Sequence, residues 1–156
     1  MSAEPPGAEP ANTEPACADG PHPVFVTIKD LRNYKGNVAV ELYNDDSKNF
    51  IKKVARLMRV RIRAEPRNDV VRACLPAPGP GIYAVVIYHD ENDNHKWDRN
   101  WIGLPKEGVG FSRNPKLGLR KPKHKKAAFE VGDEAVELNV IVRYFGYKRK
   151  RLRRAR

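Results

Sequence analysis

The chain has no run of about 18 apolar residues, which excludes a membrane-spanning helix built on hydrophobicity. Its first 23 residues hold no Lys, no Arg and no apolar stretch, so as written they do not read as a secretory signal. Two cysteines in 156 residues are too few for a Cys-rich zinc module. What is present suits one small domain with extensions. Apolar residues make up 40% and charged residues 31%, enough for a modest core under a very polar surface.

The formal charge of +11 is spread unevenly. Residues 1–23 carry Glu4, Glu9, Glu14 and Asp19 with no cation. The last nine residues, 148–156, carry seven Lys and Arg and no acid. Six of the 13 prolines also precede residue 24, and Glu-Pro recurs at Glu4-Pro5, Glu9-Pro10 and Glu14-Pro15. Such a segment buries too little apolar surface to offset its ordering entropy. The composition therefore divides the chain into a disordered acidic head (1–23), a folded domain (24–147) and a basic tail (148–156).

The folded part has a period of two. Val24, Val26 and Ile28 alternate with Phe25, Thr27 and Lys29, and Val38, Val40 and Leu42 alternate with Ala39, Glu41 and Tyr43. Val60 and Ile62 alternate with Arg59, Arg61 and Arg63, as a strand with one buried and one solvated face would. Val70–Leu75, Ile82–Tyr88, Ala127–Val131 and Val136–Tyr144 complete the series, with Ile82–Tyr88 the most apolar and central. About seven short strands separated by turn signals predict an all-β fold. The expected form is an antiparallel β-sandwich of the immunoglobulin or transthyretin type. Ser47–Met58 reads equally as a short helix or an irregular crossover between sheets.

The chemistry sits just after the central strand, in His89-Asp90-Glu91-Asn92-Asp93-Asn94-His95-Lys96-Trp97-Asp98. Asp90, Asn92, Asn94 and Asp98 hold relative positions 1, 3, 5 and 9, with the Lys96 carbonyl at position 7, which is the oxygen spacing of a calcium loop. Position 6 is His95 where a sharp turn normally takes Gly, and position 12 is Trp101 where a bidentate Glu is usual. Glu107 would supply that carboxylate only by folding back. The competing reading is that these side chains turn the backbone through Asx-type hydrogen bonds. Trp101–Asn114 follows, too long for a tight turn and too apolar for a linker. It is expected to pack back over the sandwich, with Trp101, Phe111 and Asn114 either packing or contacting a glycan or peptide.

These residues resemble a bacterial domain-of-unknown-function family, number two-one-four-one. Gly81–Val85, His89–Asn94 with Asp98, and Gly103–Asn114 carry the resemblance, with Val26, Leu31, Gly36, Val38, Leu42, Tyr43 and Ala127-Ala128-Phe129 extending it over roughly 24–145. It implies a small β-sandwich exported to the periplasm or cell surface, with no assigned activity. Export would in turn mean that a signal was removed or that translation starts upstream. It also implies that Cys17 and Cys74 pair, pinning the head to the sheet.

Other functions have less to stand on. His89 beside Asp90 is the best candidate for acid–base work, but consecutive strand residues face opposite ways and no Ser or Cys nucleophile sits in an elbow. The chain reads as non-enzymatic. Arg120–Lys126 and the tail could neutralise polyanions, and for an exported protein an anionic envelope component fits better than nucleic acid. The sequence thus predicts an exported interaction module, calcium-stabilised at Asp90, Asn92, Asn94, Lys96 and Asp98, with polyanion binding as the alternative.

Overall fold

Alternating residues become eight strands: β1 (Pro23–Lys29), β2 (Asn37–Tyr43), β3 (Arg56–Arg63), β4 (Val71–Pro76), β5 (Gly81–Asp90), β6 (Gly108–Phe111), β7 (Phe129–Val131) and β8 (Val136–Ile141). One turn of helix, α1 (His124–Ala127), precedes β7. The computed structural model describes residues 17, 20–65, 69–96, 107–118 and 120–145. The basic tail and nearly all of the acidic head lie outside the described residues.

The strands form an all-β sandwich. One sheet has the order β4-β1-β8, the other β3-β2-β5-β6, and β7 pairs with the start of β5. Val24, Val26 and Ile28 from β1, Val38, Val40 and Leu42 from β2, and Val85 and Ile87 from β5 share the space between the sheets. These are the inward positions that the period of two predicts.

Three elements differ from the sequence reading, and a fourth decides between the two alternatives it left open. An eighth strand, β6, lies inside the long segment before Asn114, where two glycines within four residues mask the strand pattern. β1 and β8 pair in parallel rather than antiparallel. The chain enters β8 from β7, which is paired in the other sheet, so no hairpin dictates the direction. Ser47–Met58 is the irregular crossover, with 3₁₀ turns at Ser47–Asn49 and Lys53–Ala55 before β3 begins at Arg56. Asp46 caps the first turn by accepting from the Asn49 N–H at 3.2 Å. Finally, Ala127 ends α1 rather than opening the strand with Val131.

The β3-β2-β5-β6 sheet is covered on its second face as well. Ala39 and Tyr43 of β2, Val86 and Tyr88 of β5, and Val109 and Phe111 of β6 pack there against Phe50, Ala55 and Ala127. With a cover formed by residues 44–55, 112–118 and 120–127, every residue of β2 is buried. On this face Arg59 and Arg61, read as solvated, find partners within the sheet itself. Arg61 is only 7% exposed, and Arg59 donates to Glu41 at 2.7 Å. Glu41, itself 2% exposed, also accepts from Tyr88 at 2.7 Å, from Arg56 at 3.0 Å and from Tyr43. Burial alone would raise the Glu41 carboxyl, but these donors overcome it and hold the group below its ordinary range.

Ser112 and Asn114 close gaps in the sheets. The Ser112 N–H donates to the Val85 carbonyl at 2.9 Å, and its Oγ accepts from the Val85 N–H at 3.0 Å. That continues the ladder where β6 stops. Asn114 donates to the Asn139 carbonyl and accepts from the Ile141 N–H, both at 2.9 Å, clasping β8. Cys17 and Cys74 form a disulfide across 57 residues, joining the chain before β1 to β4.

Candidate functional site

Strand alternation divides the end of β5 into two environments. His89 continues the Val85–Ile87 side and is fully buried. Its Nε2 lies 2.7 Å from the Lys35 carbonyl and its Nδ1 2.7 Å from the Tyr144 hydroxyl. A carbonyl only accepts, so Nε2 carries the hydrogen and Nδ1 accepts from Tyr144. Burial pushes the imidazole below its ordinary pKa, which keeps this neutral form. Both nitrogens are engaged in holding the β1–β2 turn and the segment after β8 to the end of β5.

Asp90 continues the Val86–Tyr88 side and is also fully buried. One carboxylate oxygen accepts from the Asn94 N–H at 3.2 Å, the other from the His95 N–H at 2.8 Å. Arg61 approaches the second oxygen at 3.4 Å and donates to Asn37 at 3.2 Å. Asn37 pairs with Asp90 across the sheet. A third tie runs through Glu91, which Arg32 grips with both guanidinium arms, one at 2.8 Å. The Arg32 guanidinium also lies 4.5 Å over the Tyr144 ring. Gly36 makes the approach possible, since a Cβ there would stand 1.9 Å from the Asp90 carbonyl oxygen.

The bend itself follows the sequence spacing. Asn92 accepts from the Asn94 N–H at 3.2 Å and Asn94 from the Lys96 N–H at 2.9 Å, the Asx turns of the competing reading. His95, at the sixth position, has φ +60° and so makes the left-handed turn that Gly usually supplies. The Asp90 and Asp93 carboxylates and the His95 imidazole present ligand atoms within 4.8 Å of one another. Asp98 and Trp101 lie outside the described residues, so the ninth and twelfth positions are not placed. β6 does fold back. Its last pair with β5 is His89–Gly108, which puts buried Glu107 at the level of Asp90.

The sequence reading of the site missed Asp93, Asn37, Arg61 and Arg32. Asp93 was in the motif but off the ligand spacing. The others come from β2, β3 and the β1–β2 turn, and nothing local marks them. Phe111 and Asn114, considered for glycan or peptide contact, are taken up by the fold: Phe111 is 3% exposed and Asn114 clasps β8.

The segment 26–139, which holds all these motifs, matches the model of the family described as "Uncharacterized protein conserved in bacteria (DUF2141)". The chain belongs to this family. No curated protein and no solved structure matches it. Within this DUF2141 chain the motif residues divide by task. His89, Gly108, Ser112 and Asn114 hold sheets and turns together, while Asp90–Lys96 is the part they present.

Proposed function

We propose that this DUF2141 chain is a non-enzymatic binding module working outside the cytoplasm, and that its Asp90-to-Asp98 bend takes a calcium ion. The observation that carries the reading is the backbone of the bend. His95 adopts the left-handed conformation at the position where a calcium loop requires it, at a cost of about 1 kcal/mol for a non-glycine residue. Buried His89, Asp90 and Arg61 fix that bend on the sheet, an expense that the apolar core does not require. Glu107 at the level of Asp90 adds a second buried carboxylate, which favours a cation nearby. The engaged nitrogens of His89 support a positioning rather than a catalytic role. The disulfide supports an oxidising compartment, the periplasm or outside the cell.

The test is thermal melting of the oxidised chain with calcium or with magnesium, at roughly millimolar concentration, where extracellular calcium modules bind. Calcium should raise the melting temperature, magnesium should not, and Asp93→Asn should abolish the rise. No rise with calcium, or an equal rise in Asp93→Asn, overturns the calcium reading. Asp93 is chosen because its exposed carboxylate offers a ligand atom within 4.8 Å of those of Asp90 and His95, whereas loss of Asp90 would also strand Arg61.

A second reading, polyanion binding through residues 120–126 and 148–156, is favoured by one observation. Arg120, Lys121, Lys123, Lys125 and Lys126 are all exposed on the cover, and Lys121, Lys123 and Lys125 line a cavity.

A further inference from the structure

The cover over the β3-β2-β5-β6 sheet has a charge pattern that the linear sequence divides in two. Residues 45–55 contribute three lysines and residues 112–127 seven Lys and Arg, and all ten are exposed. The acids of these segments are Asp45 and Asp46. The next stretch, 129–139, reverses the sign: Glu130, Asp133, Glu134 and Glu137 are exposed and it holds no Lys or Arg. Two stretches distant in sequence thus fold into one cationic layer, followed by an acidic edge.

At the seam of the two stretches lies a cavity of about 510 Å³. Ser47 and Phe50 line it from one stretch, and Lys121, Lys123, His124 and Lys125 from the other. Its walls are set. Lys121 Nζ donates to the Phe50 carbonyl at 3.0 Å, and His124 Nε2 lies 3.0 Å from the Asn44 carbonyl. The His124 ring stands edge-on to Phe50, with centroids 5.2 Å apart. Among the described residues, no ion pair engages Lys121, Lys123 or Lys125.

We infer that this cavity binds a phosphate ester. The inference deepens the polyanion reading and rests on it. Lysine ammoniums are compact donors that recognise phosphate as point charges, and the Ser47 hydroxyl adds a neutral donor. The volume falls within the range of small-molecule sites and leaves room beside a phosphate for a substituent such as a sugar or glycerol. A phospholipid headgroup and a free phosphate ester share this chemistry.

The experiment uses the full oxidised chain, labelled for NMR and titrated with inorganic phosphate at constant ionic strength. In parallel, binding is measured to neutral phosphatidylcholine vesicles with and without phosphatidic acid. Saturable shifts confined to Ser47, Phe50 and Lys121–Lys125, lost in Lys123→Gln/Lys125→Gln, are the expected result. Binding to phosphatidic acid vesicles, competed by phosphate and weakened about 30-fold by the same double substitution, assigns the site to a lipid headgroup. Phosphate binding without vesicle binding assigns it to a free ester. Shifts spread over all exposed cations and unchanged in the double variant overturn the inference. So does vesicle binding that phosphate does not compete, an outcome that leaves the polyanion reading standing. Failure to bind vesicles, heparin or phosphate at low salt ends both, and duplex DNA binding with unmoved cavity resonances ends the inference alone.

Discussion

His89 and Asp90 are consecutive on β5 and serve opposite sides of the same sheet. The imidazole joins the space between the sheets, where it meets Tyr144, and the carboxylate joins the second face, where it meets Arg61. One dipeptide therefore anchors the bend from both directions. The pair cannot work as a catalytic dyad, because the sheet itself lies between the two side chains.

Stability should fall on acidification in two stages. His89 is held below its ordinary value of 6.5, so the unfolded chain takes up that proton first as pH drops. Its contribution is complete above 6.5 and is lost as pH falls towards the folded-state value. Glu41 behaves likewise around and below its ordinary 4.5. The urea midpoint should drop between neutral pH and about pH 5.5, and His89→Gln should flatten that first stage. A midpoint equally pH-dependent in His89→Gln would show that His89 does not titrate as described.

Gly36→Ala should destabilise the fold by about 2 kcal/mol or more and loosen the bend selectively. Gly36 has φ +67°, and the added Cβ would strike the Asp90 carbonyl, backbone that cannot step aside. Urea denaturation reads the first effect. Hydrogen exchange at the Asn94 and His95 amides, both bonded to Asp90, reads the second. A wild-type midpoint with unchanged exchange would contradict the close approach.

Cys17→Ser should lower stability by about 4 kcal/mol, the chain-entropy value for a loop of this size. Reducing the wild-type chain should match the substitution, since both open the same link. Equal denaturation midpoints for oxidised wild type and Cys17→Ser would show that the link adds nothing to the folded state.

The sequence by itself determined the strands, because a period of two survives wherever one face of a strand must be apolar. Val24, Val38, Val85 and Val140 were legible as core for that reason. It also determined the bend, since Asn92 and Asn94 turn the backbone through contacts only two residues long. It concealed β6, whose glycines carry no side-chain pattern. At Gly108 a Cβ would stand 2.5 Å from Tyr144 and Val142, so the residue answers to the segment after β8 rather than to its neighbours in sequence.

Only the tertiary structure decided the second covered face. Arg59 and Arg61 read as solvated positions, yet Arg61 is buried against Asn37 and Asp90 and Arg59 is paired with buried Glu41, on the face that residues 44–55, 112–118 and 120–127 cover. The same folding gathered the exposed lysines of both segments and opened the cavity between them. Local alternation specifies which residues share a face. What lies over that face depends on chain returning from dozens of residues away, and no local pattern encodes that.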